Sequence, residues 1–415
     1  MLVGCKNVII LLLRQISIWV AIILFSSSTG NAQDFAFTGH KKKQSIHFKL
    51  IKNLIIIPVF INGKGPYDFI LDTGVGPMII TDPTIIDTVD FNNMRKIKVM
   101  GLGGEDVQAY ISQILSVKIG KASMDNIPAA ILKKDLFNLS GYLGLKIYGL
   151  VGYSFFNSFI VDVRYSENVI KFYSEKAKVK FRGDKVPISI DNLKPYIETT
   201  IQLADGSEIN AKFLIDTGAS HALSLETLND QAFPLPQKKI VSNLGLSLSG
   251  QISGYIARIK KLQLGKYSFD DVVAGFPNYA SIANKIDNKR NGNVGAEILR
   301  RFNIQFNYRQ GFMYIKPNIY FKTPFEHNML GMVVYLDQET NSKIIVGEVD
   351  EDSPAQKQGL QVGDEIVKIN FKSINDYTFN DIDLLFKSKE NRTIVFQIYR
   401  DSEYLYKVVR LEKRI

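Results

Sequence analysis

Two short acidic motifs lie far apart in this chain of 415 residues. Asp72-Thr73-Gly74 and Asp216-Thr217-Gly218 are separated by 144 residues (216 − 72), and each ends a hydrophobic run. An Asp before Gly at the end of a buried strand places a carboxylate on a tight turn, because Gly adopts backbone conformations that other residues avoid. The two copies therefore offer a pair of carboxylates that could face each other.

Two carboxylates held about 3 Å apart would perform acid–base chemistry on a water molecule. They cannot both ionise at that separation, so they share one proton and titrate as a coupled pair. The ionised member takes a proton from water, and the protonated member donates to the carbonyl under attack. The alternative is that Asp72 and Asp216 each only cap a turn, which is a common role of Asp before Gly. Two copies in one chain favour the catalytic interpretation.

The motifs belong to a longer repeated pattern that is rich in β-strand signals. Residues 107–121 match residues 252–266 at an offset of 145, and Leu150-Val151-Gly152 matches Asn293-Val294-Gly295 at an offset of 143. These offsets are close to the 144 residues between the acidic motifs. A nearly constant spacing of three landmarks indicates an internal duplication of one β-rich lobe.

These residues resemble the retropepsin-like and pepsin-like aspartic proteases over about residues 44–317. The resemblance implies a mainly β fold in which two duplicated lobes form a bilobal, barrel-like domain. We place lobe 1 at residues 33–180 and lobe 2 at residues 181–322. In this family the later hydrophobic-hydrophobic-Gly element passes beneath the catalytic turn, and Asn293 stands where the pattern prefers an apolar residue.

The resemblance also assigns supporting roles around the two carboxylates. The threonines would hydrogen-bond across the interface between the lobes, and the glycines let the two turns approach. The predicted site contains the catalytic pair and its supporting residues: Asp72, Asp216, Thr73, Gly74, Thr217 and Gly218.

The residue after each motif bears on the pH optimum. Val75 and Ala219 stand where pepsins carry a Ser or Thr that donates to a catalytic carboxylate, and retroviral enzymes carry Ala there. Loss of that donor removes an interaction that favours the ionised form. We therefore expect an optimum in weakly acid to near-neutral conditions. Because Val75 and Ala219 differ, the two halves of the site are not identical, which suits a single chain that supplies both halves.

A glycine-rich segment could form a lid over the cleft. Gly101, Gly103 and Gly104 lie between paired strands where a flap would sit in lobe 1, and residues 244–250 are the counterpart in lobe 2. Gly supplies hinge freedom and lets the backbone approach an extended peptide. An ordinary hairpin turn is the alternative.

The sequence changes character from about residue 325. Ser353-Pro354-Ala355, Gly359-Leu360 and Gly363-Asp364-Glu365-Ile366 resemble a PDZ domain, which we place at residues 325–415 as a β-rich fold with two helices. The resemblance implies that peptides, including C-terminal ones, bind beside an added strand. A PDZ fold used for internal docking is the alternative. The implied carboxylate-binding loop is Leu330, Gly331, Met332 and Val333, with a helix at residues 378–387.

The first 32 residues have the pattern of a signal peptide. Lys6 and Arg14 precede an apolar stretch, and Gly30-Asn31-Ala32 is a loose cleavage site. A short membrane anchor is the alternative. Cys5 is the chain's one cysteine, so a cleaved chain would have neither a disulfide nor a thiol nucleophile. We expect export to the periplasm or the outside of the cell, with no integral membrane domain after cleavage.

Other classes of protein fit the sequence poorly. The net charge of +10 is spread along the chain, which makes nucleic-acid binding a poor explanation. The four histidines have no metal-ligand spacing, and no phosphate loop or serine-nucleophile motif stands out. We predict an exported aspartic-type endopeptidase, a hydrolase of protein or peptide substrates, with no metal or cofactor. The alternative is a non-catalytic periplasmic scaffold that binds peptides, although such a protein would not need two mutually repelling acids.

Overall fold

The computed structural model of the chain describes residues 34–86, 91, 94–99, 107–133, 135, 138–247, 250–285, 290–337, 340 and 342–415. The predicted signal peptide, residues 1–32, lies outside the described residues, and so do the predicted flap glycines Gly101, Gly103 and Gly104. Residues 34–415 form one unit by their contacts.

The first repeat consists mostly of strands. Its longest runs are rich in Ile, Val and Phe, which pack well on a pleated surface. Its strands are β1 (Ala36–Phe37), β2 (Lys43–His47), β3 (Lys49–Ile51), β4 (Leu54–Ile61), β5 (Lys64–Leu71), β6 (Met78–Ile80), β7 (Arg95–Val99), β8 (Val107–Ile119), β9 (Ala122–Leu132), β10 (Gly149–Val151), β11 (Ile160–Arg164) and β12 (Val169–Tyr173).

Six of these strands close into a barrel. Their order is β4-β5-β10-β6-β9-β8, and β8 pairs with β4 to complete the circle. The short strand β10 runs parallel to β5 and antiparallel to β6. Because Val151 pairs with Leu71, the end of β10 lies beside the turn that carries Asp72.

The second repeat is also built from strands. They are β13 (Asp184–Pro187), β14 (Ser189–Asp191), β15 (Lys194–Gln202), β16 (Glu208–Asp216), β17 (Leu223–Leu225), β18 (Lys239–Ser247), β19 (Gly250–Leu264), β20 (Tyr267–Pro277), β21 (Gly292–Gly295), β22 (Phe302–Asn307) and β23 (Phe312–Pro317).

The second barrel has the topology of the first. Its order is β15-β16-β21-β17-β20-β19, closed by β19 on β15. Here β21 runs parallel to β16 and antiparallel to β17, as β10 does between β5 and β6. Each strand of one ring thus has a counterpart in the other. The two closed barrels confirm the predicted mainly β fold with duplicated lobes, while the exact lobe limits stay predictions.

A six-stranded antiparallel sheet joins the lobes. Its order is β13-β23-β22-β11-β12-β2, so three strands come from each side of residue 180. The central pair is β11 with β22, in which Val161 pairs with Phe306. The lobes also share one apolar core, and the rings of Phe156 and Phe306 lie 5.2 Å apart within it. This shared core fixes the position of one barrel relative to the other.

The C-terminal domain has an apolar core of its own. Its sheet has the order β24-β25-β26-β28-β29, with β27 on β26. The strands are β24 (Met332–Leu336), β25 (Ile344–Val349), β26 (Glu365–Ile369), β27 (Lys372–Ser373), β28 (Thr393–Arg400) and β29 (Glu403–Arg410).

The described α-helices are short. The last one fits the helix predicted at residues 378–387, and a capping box between Thr378 and Asp381 fixes its start. The helices are α1 (Leu139–Leu143), α2 (Tyr153–Ser158), α3 (Tyr279–Ile282), α4 (Ala296–Leu299), α5 (Pro354–Lys357) and α6 (Phe379–Phe386).

Candidate active site

The two Asp-Thr-Gly motifs occupy equivalent turns at the ends of equivalent strands. Asp72 follows β5, and Asp216 is the last residue of β16. Beneath them pass the ends of β10 and β21, as the resemblance implied. Gly is needed there, because a Cβ on Gly152 would lie 2.0 Å from the carbonyl oxygen of Asp72. A Cβ on Gly295 would lie 2.1 Å from the carbonyl oxygen of His221.

Thr73 and Thr217 join the two turns by reciprocal hydrogen bonds. The backbone N–H of Thr73 donates to Thr217 Oγ1 (3.0 Å), and that of Thr217 donates to Thr73 Oγ1 (2.9 Å). Each hydroxyl donates to the opposite lobe, Thr73 Oγ1 to the carbonyl oxygen of Ile215 (2.6 Å) and Thr217 Oγ1 to that of Leu71 (2.8 Å). Both threonines are fully buried. The structure therefore brings the predicted residues together.

The carboxylates of Asp72 and Asp216 converge over the paired threonines. Each accepts the N–H of the Gly two residues later, at 2.7 Å for Gly74 and 2.9 Å for Gly218. A Cβ on Gly74 would lie 3.1 Å from Asp72 Oδ1 and 3.2 Å from Asp216 Oδ1. A Cβ on Gly218 would lie 2.2 Å from the carboxyl carbon of Asp72. Both glycines thus leave room for the acids to meet.

The two acids have different surroundings. Asp72 is buried, and burial together with the negative charge of Asp216 raises the pKa of Asp72 well above its usual range, although the Gly74 N–H acts in the opposite direction. Asp216 is only half-buried. The protonated form is therefore favoured on Asp72.

Asn293 contacts Asp216 and is the main site residue that sequence reasoning missed. Its Nδ2 lies 3.3 Å from Asp216 Oδ2, and its Oδ1 lies 2.6 Å from His221 Nε2. An ionised carboxylate can only accept hydrogen bonds, so the amide nitrogen faces Asp216. The sequence does show Asn293 as a polar residue at a position where the family pattern prefers an apolar one. It does not show that Asp216 is the partner of this side chain.

A cavity of about 300 Å³ lies in front of the carboxylates. Asp72, Asp216, Lys194 and Asn293 are among its lining residues, and so is Leu244 of β18. The cavity is large enough for several side chains of a polypeptide. Part of the lobe 2 segment predicted as a flap, residues 244 and 245, therefore faces the site, while residues 248 and 249 lie outside the described residues.

Comparison with family models assigns two regions of the chain. Residues 57–155, which include Asp72, match an aspartyl protease model, and residues 329–409 match a PDZ domain model. The chain contains an aspartyl protease domain and a PDZ domain. No curated protein gave a significant match.

The aspartyl protease match lies within lobe 1, and Asp216 lies beyond its end at residue 155. The equivalence of lobe 2 rests on the structure, since its barrel repeats the strand order of lobe 1 and its turn repeats the Asp-Thr-Gly geometry. The second acid is thus provided by the same chain.

In the PDZ domain, the predicted carboxylate-binding loop precedes and enters β24. The N–H groups of Leu330 and Gly331 both donate to the side-chain oxygen of Asn328, at 3.0 Å each. Asn328 Nδ2 in turn donates to the carbonyl oxygen of Met332 (2.8 Å). Val333 is half-buried on the wall of a second cavity. Sequence reasoning did not single out Asn328.

The residues after the two motifs add no hydroxyl donor to the site. Val75 is buried in a small apolar cluster of lobe 1, and Ala219 lines the cavity in front of Asp72 and Asp216. Within the described part of the chain, no group of three or more His, Cys, Asp and Glu side chains could hold a metal ion. No helix among the described residues is long and apolar enough to cross a membrane.

Proposed function

We propose that this chain is an exported aspartic endopeptidase in which Asp72 and Asp216 activate one water molecule against a peptide bond. One observation carries the proposal: two equivalent Asp-Thr-Gly turns, joined by reciprocal threonine hydrogen bonds, direct their carboxylates into one cavity. The aspartyl protease match over lobe 1 supports the same chemistry. A single chain supplies both acids and so needs no second copy for catalysis.

The unequal surroundings assign a role to each acid in this mechanism. Asp72, whose raised pKa favours the neutral form, donates its proton to the carbonyl oxygen of the scissile bond. Asp216, which faces the N–H of Gly218 and the amide of Asn293, takes a proton from the attacking water. The C–N bond then breaks as Asp216 gives the proton that it took from water to the leaving nitrogen. Asp72 takes back a proton from a hydroxyl of the tetrahedral intermediate, which restores the dyad.

The PDZ domain in this proposal recruits or orients the polypeptide substrate. Export is proposed from the leader-like first 32 residues alone. N-terminal sequencing of the protein recovered from cell fractions would test it. A mature N-terminus near residue 33 outside the cytoplasm is expected, and an intact leader in the cytoplasmic fraction would contradict it.

The decisive experiment measures peptide hydrolysis by wild type, Asp72→Asn and Asp216→Asn. Each substitution removes one half of the dyad and should lower kcat/KM by at least about 10³-fold. A statine-type inhibitor should block the wild type. Equal activity in all three proteins would rule out the dyad mechanism. Peptide binding without hydrolysis by the wild type would favour the scaffold.

A further inference from the structure

The hairpin between β3 and β4 of lobe 1 reaches across to the second acidic turn. Its two-residue turn is Lys52-Asn53, and both residues have positive φ, 46° and 70°, as a tight hairpin turn of this length favours. Asn53 Nδ2 donates to the carbonyl oxygen of Ser220 (2.8 Å). Ser220 follows Asp216 by four residues (220 − 216). A side chain of lobe 1 therefore holds the turn that follows Asp216 in lobe 2.

This bond completes the support of that turn. The carbonyl oxygen of Ala219 accepts the N–H of Ala296 (2.7 Å). The carbonyl oxygen of His221 accepts the N–H of Glu297 (3.2 Å). Both of these donors belong to lobe 2, whereas the carbonyl oxygen between them, that of Ser220, accepts its hydrogen bond from lobe 1. The turn is thus fixed from both lobes.

The turn is connected to Asp216 by side chains as well as by the backbone. His221 Nε2 lies 2.6 Å from the amide oxygen of Asn293, and the amide nitrogen of Asn293 lies 3.3 Å from Asp216 Oδ2. A displacement of the backbone at Ser220 therefore moves the ring of the next residue and, through Asn293, a donor to Asp216. Small displacements of a reacting group are costly for catalysis.

The PDZ domain holds the other side of the hairpin. Asn380, the second residue of α6, accepts the N–H of Lys52 at its Oδ1 (2.8 Å). Its Nδ2 donates to the carbonyl oxygen of Leu50 (2.6 Å). An asparagine amide carries both a donor and an acceptor, so one side chain binds two backbone groups of the hairpin.

Helix α1 of lobe 1 packs on the same face of the PDZ domain. The ring of Tyr142 in α1 lies 5.8 Å from that of Tyr335 in β24. A Cβ on Gly144, just after α1, would lie 2.1 Å from the ring of Phe379 in α6. Lys52 Nζ lies 3.6 Å from the centre of the Tyr142 ring. The face formed by β24 and α6 is thus covered by lobe 1, with Asn380 at the hairpin.

Lobe 2 has a matching hairpin, which provides a comparison. The turn between β14 and β15 is Asn192-Leu193, and both residues again have positive φ, 44° and 63°. A Cβ on Gly76, which matches Ser220 at an offset of 144 (220 − 76), would lie 3.3 Å from the Leu193 side chain. Each hairpin therefore touches the acidic turn of the opposite lobe. Leu193 is 44% exposed, whereas the lobe 1 hairpin is bonded to α6.

We propose that Asn380 of the PDZ domain is a positioning residue for Asp216 and acts through the Lys52-Asn53 turn and the backbone of Ser220. Coupling of this kind is carried by groups in direct contact, and each step from Asn380 to Asp216 is such a contact. The PDZ domain is then part of the catalytic unit, in addition to any recruitment of substrate. This inference rests on the proposed function, since one of its readouts is hydrolysis.

Hydrolysis of a short peptide by the full chain is the first test. The substrate is an internally quenched peptide chosen from the sites that the wild type cleaves in oxidised insulin B chain. We expect Asn380→Ala to lower kcat by at least about fivefold and to leave KM within about twofold. Asn53→Gly breaks the next contact and keeps the turn, because Gly accepts a positive φ, so it should act similarly. Leu384→Ala, at an exposed position of α6, should change neither constant.

Double variants show whether the two asparagines act together. Asn380→Ala with Asn53→Gly should be at most about twofold slower than the slower single variant, because both changes break one series of contacts. Leu193→Gly alters the same turn position in lobe 2, so its effect on kcat should multiply with that of Asn380→Ala. Thermal unfolding checks that each variant is folded. Should Asn380→Ala not fold, Asn380→Asp takes its place, since it keeps the acceptor and loses the donor to Leu50.

Hydrogen exchange provides a readout that needs no activity. We expect the backbone N–H groups of residues 217–222 to exchange at least about threefold faster in Asn380→Ala and in Asn53→Gly than in the wild type. Leu384→Ala should leave their exchange unchanged. Mass spectrometry of peptic fragments provides the measurement.

Three outcomes would overturn the inference: an unchanged kcat in the folded Asn380 variant, multiplying effects of Asn380→Ala and Asn53→Gly, or unchanged exchange of residues 217–222. Failure of the proposed function is a separate result. A wild type that cuts nothing, while exchange in the turn still depends on Asn380, would end the catalytic proposal alone. A wild type that cuts peptides at a rate independent of Asn380 would end the positioning proposal alone.

Discussion

Asn293 donates its side-chain amide to the carboxylate of Asp216, with 3.3 Å between Nδ2 and Oδ2. His221 fixes the orientation of that amide through its 2.6 Å hydrogen bond to the amide oxygen. The equivalent position in lobe 1 is Leu150, which is apolar and buried. One acid of the pair thus has a side-chain donor in this position and the other does not, so Asn293 supplies part of what a Ser or Thr after the motif would supply.

Replacing Asn293 with Leu should lower the rate of hydrolysis. Asp216 loses a hydrogen bond from a side chain whose Nδ2 lies 3.3 Å from its Oδ2, so kcat/KM should fall by about tenfold. Rates with a peptide substrate provide the measurement. Leu150→Ala alters the matched position without removing a donor and should have a much smaller effect on kcat/KM. An unchanged rate in Asn293→Leu would remove Asn293 from the mechanism.

Alanine at Gly218 should be far more damaging than alanine at Gly74. The new Cβ at Gly218 would lie 2.2 Å from the carboxyl carbon of Asp72, so that carboxylate must move. At Gly74 the nearest atoms are 3.1 and 3.2 Å away, which demands only a small adjustment. We expect a loss in kcat/KM of at least about 10²-fold for Gly218→Ala and about tenfold or less for Gly74→Ala. Equal losses of kcat/KM in the two variants would contradict this prediction, because they would mean that a Cβ is equally harmful in both turns.

Thr73→Val should destabilise the fold much more than Thr73→Ser. Valine keeps the shape but leaves the N–H of Thr217 and the carbonyl oxygen of Ile215 buried without this partner. Each such group costs about 1–3 kcal/mol, so the free energy of unfolding should fall by about 2–5 kcal/mol, while serine keeps both bonds. Urea unfolding measures both variants.

The pair Thr73→Val and Thr217→Val provides a further control. The two threonines belong to one network, so their effects in the double variant should not add. Additive losses would show that each threonine acts by itself, contrary to the reciprocal hydrogen bonds between them.

The sequence alone was sufficient to predict the parts of the fold and of the candidate site that occur in both lobes. The duplicated landmarks of the sequence correspond to matching strands of the two barrels. The threonine bonds followed from the family resemblance, and the structure contains them. These features depend on local patterns and on symmetry, which a single sequence displays.

What the sequence could not provide are contacts between distant, unrepeated residues. Asn293 looked like a departure from an apolar pattern, because its partner Asp216 lies 77 residues away. The bond between Lys52 and Asn380 spans 328 residues and depends on how two separate cores pack together. The contact between Tyr142 of lobe 1 and Tyr335 of β24 has the same origin, since no local pattern encodes how two domains pack against each other.

The raised pKa of Asp72 should make stability depend on pH, with a predictable sign. Burial and the charge of Asp216 make the folded chain hold this proton where the unfolded chain has already released it. The contribution of Asp72 to the free energy of unfolding is therefore complete below the unfolded pKa of about 3.9 and is lost as the pH rises through the folded value. Relative to Asp72→Asn, which has no carboxyl group to titrate at this position, the wild type should lose up to about 1.4 kcal/mol of unfolding free energy per pH unit across that pH range.

Urea unfolding of both proteins at a series of pH values measures the difference. Asp216→Asn should narrow the pH range over which stability is lost, because it removes the neighbouring charge. Parallel stability curves for wild type and Asp72→Asn would show that Asp72 is ionised in the folded chain and is not the proton donor.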